Sequence, residues 1–147
     1  LLQTLGSNGS ADGEFNSPTH LAVARDGTLL VTDALNFRIQ AFDRSGRFLW
    51  QIGKVGDGSG DFAAPKGVAV DSEGQVVVVD ALFDALQIFK QDGTLLLGFG
   101  EQGSRADQFW LPSGLFINPQ DTLYVADAYN QRIQIFQRVG AAGGAAQ

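Results

Sequence analysis

Hydrophobic positions in this chain come in short runs broken by Gly, Pro and Asp. In residues 65–100, Gly67-Val68-Ala69-Val70 is followed by a Glu73-Gly74 turn and then by the β-branched run Val76 to Val79, which ends at Asp80. Leu86-Gln87-Ile88-Phe89 comes next. Gln91-Asp92-Gly93 carries the Asp-Gly signal of a tight hairpin, and Leu95-Leu96-Leu97-Gly98-Phe99 closes the set. Four short antiparallel strands per unit are the pattern of a propeller blade. No window holds a 3.6-residue period for three turns, so little or no helix is expected. The second strand is the most telling. Leu29-Leu30-Val31, Val76 to Val79 and Leu123-Tyr124-Val125 lack alternation, which requires cover on both faces, as between adjacent blades. The third strand alternates more, with Gln40, Gln87 and Gln134 between apolar neighbours.

The pattern repeats every 47 residues without insertion: Phe15, Phe62 and Phe109; Pro18, Pro65 and Pro112; Asp33, Asp80 and Asp127; Phe42, Phe89 and Phe136. A fixed period of this size marks a repeat architecture. The fold class is therefore all-β, a propeller with three blades in this chain, the repeats being 15–53, 62–100 and 109–137. Gly6, Gly53 and Gly100 are equivalent, so Leu1 to Leu5 aligns with the fourth strands Phe48 to Ile52 and Leu95 to Phe99. Residues 1–6 are thus expected as an outer strand without a blade, and the last blade as lacking one. The propeller segment is expected over 1–139, with 140–147 a flexible Gly/Ala tail. Three blades alone would expose two apolar flanks. Closure by a head-to-tail homodimer, or by further blades of a longer chain, would cover them.

Composition narrows the function classes. The net charge is −6, and the ten Lys and Arg are scattered, which disfavours nucleic acid and anionic membrane surfaces as main partners. Apolar runs such as Val76–Val79 are far too short to span a bilayer. There is no Cys, hence no disulfide or thiolate chemistry, and no Met, so residue 1 is not a translation start. A processed or excised segment fits. A cleaved signal peptide would fit the missing Met.

The clearest copy of the motif, Tyr124-Val125-Ala126-Asp127-Ala128-Tyr129-Asn130-Gln131-Arg132-Ile133-Gln134-Ile135-Phe136, resembles the NHL repeat. The Gly-His and Trp-Asp marks of WD-repeat blades are absent. The resemblance covers nearly the whole chain and implies a share of a six-bladed propeller. It also implies that Asn36 with Arg38, and Asn130 with Arg132, hold loop carbonyls or the motif Asp. The middle copy departs from this, with Phe83 for Asn and Ala85 for Arg. Together with the missing start Met, the habit of this family sets an extracytoplasmic home, periplasmic or secreted, as the expectation.

Asp33, Asp80 and Asp127 have two readings. They are turn residues bonding their own backbone, or a carboxylate ring for Ca²⁺ of the kind lactonase-like propellers use. Occurrence in every copy favours the first. His20, whose equivalents are Gly67 and Gly114, starts an innermost strand near the channel mouth; it is a plain polar residue or a metal ligand. NHL-type amidating lyases use several His for zinc, which one copy of this chain does not supply. No cofactor is expected unless these residues hold Ca²⁺ or Zn²⁺. Nothing places a nucleophile beside His20, and no catalytic residue is assigned.

Trp110 and Leu111 replace Asn16-Ser17 and Ala63-Ala64 of the other copies, in a blade-to-blade loop. With Leu82, Phe83, Asp84 and Tyr129 they are expected to form a binding patch on the loop-rich face, or else a local lid. The expected function is a non-enzymatic scaffold that binds a protein there. The alternative is a metal-dependent lactonase or lyase with a site in the central channel. RNA binding, found in some NHL propellers, conflicts with the acidic charge.

Overall fold

The computed structural model describes residues 1–137. The expected tail at 140–147 lies outside the described residues. The chain forms antiparallel sheets joined in sequence. The first is ordered β1(Pro18–Val23), β2(Leu29–Asp33), β3(Arg38–Phe42), β4(Phe48–Ile52), and the second β5(Pro65–Val70), β6(Val76–Asp80), β7(Ala85–Phe89), β8(Leu95–Phe99). The third holds β9(Gly114–Ile117), β10(Thr122–Asp127) and β11(Arg132–Gln137). The sole helical element among the described residues is a 3-10 turn at Ala34–Asn36. This is an all-β propeller arrangement, with three consecutive blades and no described outer strand on the third.

The doubly apolar second strand is explained by its position. Val76 and Val78 of β6 pack toward blade one, with Leu30, Ile39, Ala41 and Ile52. Val77 and Val79 pack toward blade three, with Leu123, Val125 and Phe109. One strand therefore serves two cores. The innermost strands run side by side, and Gly67 lets them meet: a Cβ there would lie 2.6 Å from the Leu115 backbone nitrogen. The Gly67 N–H donates to the Ser113 carbonyl at 2.9 Å, tying β5 to the start of blade three.

Each joint between blades is built the same way. Gly6, Gly53 and Gly100 adopt φ of +87°, +88° and +104°, and an added Cβ would fall within 2.7 Å of the rings of Phe15, Phe62 and Phe109. The bridges Asn8–Phe15, Val55–Phe62 and Gln102–Phe109 repeat in step. The segment 1–5 is not hydrogen-bonded as a strand, unlike the sequence expectation, because β-structure needs a ladder partner and none lies beside it among the described residues. Yet Leu5 packs on Phe15, Val31 and Phe42 of blade one, as its equivalents Ile52 and Phe99 pack on blades two and three. Its place is that of a preceding blade's outer strand. Leu1 and Leu2 are fully exposed. Both end flanks are open and apolar: Leu21 and Val23 on blade one, and Phe116, Ile133 and Ile135 on blade three.

Candidate functional site

The motif carboxylates are buried and fully engaged. Asp33 Oδ1 accepts the Asn16 N–H at 2.7 Å, and Oδ2 accepts Arg38 Nε at 2.8 Å, Asn36 Nδ2 at 2.8 Å and Gln40 Nε2 at 3.2 Å. Asp127 repeats this with the Trp110 N–H, Asn130, Arg132 Nε and Gln134. Asp80 differs. With no Asn or Arg available it accepts four backbone N–H groups, from Ala63, Ala64, Leu82 and Phe83. Bonding to its own backbone two residues on, expected of all three, occurs for Asp80, while Asp33 and Asp127 reach the preceding loop and their own strand partners. All three fasten the second strand to the loop entering the blade. Among the described residues no group of three or more His, Cys, Asp or Glu converges to hold a metal ion.

His20 lies on β1, half-buried, its Nδ1 3.0 Å from the Thr19 hydroxyl. Burial, and secondarily the Lys66 ammonium, pushes its imidazole below the ordinary range.

For Asp127, burial alone would raise the pKa. The donors outweigh it: the Trp110 N–H first, then Asn130, Arg132 and Gln134 together hold the carboxyl below its ordinary 3.8. A group depressed in this way stabilises the fold above its unfolded pKa and loses that stabilisation as pH falls through the lower folded value. Acid unfolding followed by near-UV circular dichroism is expected to steepen below about pH 4. Asp127→Asn is expected to be less stable at neutral pH and to flatten that limb; an unchanged limb would contradict the linkage.

The three glutamines of the third strands, read from the sequence only as alternation, are structural clamps. Gln40 Oε1 accepts the Gly13 N–H at 2.9 Å while its Nε2 donates to the Glu14 carbonyl at 2.7 Å. Gln87 does the same with Gly60 and Asp61, and Gln134 with Asp107 and Gln108. The signal was present: a polar residue at a constant 47-residue step inside an otherwise apolar strand.

The expected patch is assembled only in part. The rings of Trp110 and Tyr129 lie 5.4 Å apart at 40°, and the Tyr129 N–H donates to the Trp110 carbonyl. Leu111, in the left-handed region at φ 45°, donates its N–H to Asp84 Oδ1 at 2.7 Å. Asp84 is itself buried and left-handed at φ 51°, so a strained pair pins the Trp110 loop to the second blade. Leu82 is 63% exposed, Tyr129 60% and Trp110 44%. Leu35, the equivalent of Leu82 and Tyr129, is also exposed and was missed from the sequence, although its position in the repeat pointed to it. Phe83 is placed elsewhere. Half-buried, it lines a separate hollow with Asp57, Gly58 and Ser59.

Comparison with known proteins adds context. A model of the NHL repeat matches residues 109–136. The E3 ubiquitin-protein ligase TRIM32 of Homo sapiens is 46% identical over 46 residues, 31% of this chain and 7% of that protein. Protein brain tumor of Drosophila melanogaster is 42% identical over 48 residues, 33% of this chain and 5% of that protein. The chain thus spans less than a tenth of the length of these curated relatives. Among solved structures, a virginiamycin B lyase of Staphylococcus aureus aligns with TM-score 0.56 at 15% identity, over 82% of this chain and 41% of that one. A structural genomics protein of unknown function from Bacteroides thetaiotaomicron aligns with TM-score 0.63 at 21% identity, over 80% and 34%. At these identities the solved structures share the fold. Among the described residues no helix is long and apolar enough to cross a membrane. A model of the 6-bladed beta-propeller family matches residues 10–98, well over half of the chain, which therefore belongs to that family and is built of NHL-type repeats.

Proposed function

We propose that this propeller is a non-enzymatic protein-interaction module that receives a partner on the loop face bearing Leu35, Leu82, Trp110, Leu111 and Tyr129. The observation that carries this reading is the Trp110–Tyr129 pair: two large aromatic side chains held together in the open by a backbone hydrogen bond and by the loop that Asp84 pins. Rigid aromatics lose little conformational freedom on binding and are favoured as interface anchors. The short NHL matches to TRIM32 and brain tumor agree with a module that works beside other domains. The reading needs no cofactor. The blades are completed into a ring by a second copy or by further blades of a longer chain, since both end flanks are apolar and open.

Selection of a displayed peptide library against the purified chain tests the interaction. The reading expects enriched peptides whose binding falls at least about tenfold in Trp110→Ser and Tyr129→Ser, with unchanged circular dichroism. Enriched peptides that ignore both substitutions would reject the loop face. Light scattering addresses closure. A particle of about 31 kDa, twice 15.6 kDa, supports pairing of this chain, and a stable particle of 15.6 kDa contradicts it.

A further inference from the structure

Blade two lacks the cation that its sister blades carry, and the space is left open. In blade one the Arg38 guanidinium bonds Asp33, the carbonyls of Ala11 and Glu14 at 2.9 Å, and Gln51 Oε1 at 2.7 Å. In blade three Arg132 bonds Asp127 and the carbonyls of Ser104, Arg105 and Gln108. At the equivalent positions blade two has Ala85 for the Arg and Gly98 for Gln51. The register is intact, with Asp80 paired to Ala85 as Asp33 is to Arg38. Both side chains that fill this site in blade one are therefore missing together.

The result is a hollow of about 340 Å³ whose lining includes Asp57, Gly58, Phe83, Ala85 and Gly98. Asp57 and Gly58 are the counterparts of Ser104 and Arg105, whose carbonyls receive the Arg132 guanidinium. The backbone that accepts a guanidinium in the sister blades is thus present on its wall. Two further exchanges act in the same direction. Asp57 stands where the other copies have Ser10 and Ser104, adding a negative charge only in the blade that lost the Arg. Phe83 stands where they have Asn, placing an aromatic ring at the site. Lys54, nearby in sequence, is exposed and lies 3.8 Å from Asp61 in a loose surface pair.

We infer that this hollow is a binding site for a guanidinium group supplied from outside the chain, the arginine side chain of a partner peptide. The Gly58 carbonyl accepts the Asp61 N–H at 3.1 Å, as Ala11 accepts Glu14, but lacks the second, guanidinium donor that Ala11 receives. Carbonyls with that capacity left over and a carboxylate favour a planar multi-donor cation, and an aromatic wall adds a cation–π contribution. The site is distinct from the Trp110–Tyr129 pair and stands without it.

The test is titration of the ¹⁵N-labelled chain with N-acetyl-glycyl-arginyl-glycinamide, with its citrulline counterpart as the uncharged isostere. Saturable amide shifts are expected at Gly58, Ser59, Phe83 and Gly98, with at least about tenfold weaker binding of the citrulline peptide. Ala85→Arg restores the motif and fills the site, so it is expected to abolish the shifts. Should that variant not fold, Gly98→Gln, which refills the other half, is expected to weaken them. The inference is overturned by equal binding of citrulline, by shifts that survive the refilled variant, by shifts centred on Trp110 and Tyr129, or by no response at about 10 mM peptide.

Discussion

Arg38→Ala is expected to destabilise the protein by about 3–5 kcal/mol, because it leaves a buried carboxylate without its counter-charge. Asp33 is fully buried and Arg38 is 6% exposed, so water does not replace the lost partner. The guanidinium is also a second donor to the Ala11 and Glu14 carbonyls, which would keep only the Glu14 N–H and Gln40 Nε2 respectively. Blade two shows what tolerance of this loss requires. Asp80 survives beside Ala85 because four backbone N–H groups point at it. Asp33 has one such donor, from Asn16. Arg132→Ala is expected to cost less, about 1.5–3 kcal/mol, since its side chain is partly exposed and solvent screens the Asp127 charge. Urea unfolding of the two variants gives the comparison directly. A loss below about 1 kcal/mol for Arg38→Ala would mean that the pair contributes little and that backbone donors rearrange to replace it.

What the sequence made legible follows from how a repeat stores information. The 47-residue step exposed the joints, so Phe15, Phe62 and Phe109 were identifiable as equivalent before any geometry was known. The lack of alternation in Val76 to Val79 announced burial on both sides, and the two cores sharing that strand are the reason. Side-chain direction in loops was less legible. Phe83 and Trp110 were grouped because both depart from their repeat equivalents toward large apolar residues in loops on one face, but Phe83 takes the position from which Asn36 and Asn130 reach the Gly9 and Gly103 carbonyls. It faces the 57–59 loop for that reason. Asp84 was expected as a member of the binding patch, and it serves instead as the buried acceptor that holds the Leu111 N–H. Its function depends on a left-handed backbone shared with Phe37 and Gln131, which no residue preference announces for Phe. Leu1 to Leu5 align with the outer strands of the other copies, yet they form no strand here, because extended pairing depends on a neighbour that local sequence does not provide.

Phe62→Ala is expected to cost about 3–5 kcal/mol, the range for removing a fully buried aromatic side chain. Phe62 lies at the joint of blades one and two, within a core that includes Ile52, Val68, Val76 and Phe89, and its ring stands 5.7 Å from that of Phe89. Close-packed blades on both sides prevent collapse into the gap. Phe15 occupies the same place in the repeat, but among the described residues its buried cluster holds just Val31 and Phe42, with Leu5, Leu29 and Phe48 partly buried around them. In an open three-blade particle Phe15→Ala should therefore cost about 1–2 kcal/mol less than Phe62→Ala, since fewer contacts are lost and the site relaxes toward solvent. Ring closure by a second copy changes this comparison in a measurable way. The open flank then becomes a joint, the two costs converge, and the unfolding midpoint of the parent chain rises with protein concentration. Chemical denaturation of both variants across a hundredfold range of concentration, about 1–100 μM, separates the cases. Convergence at the upper end supports pairing, whereas a constant gap with a concentration-independent midpoint shows that this chain leaves the Phe15 flank uncovered.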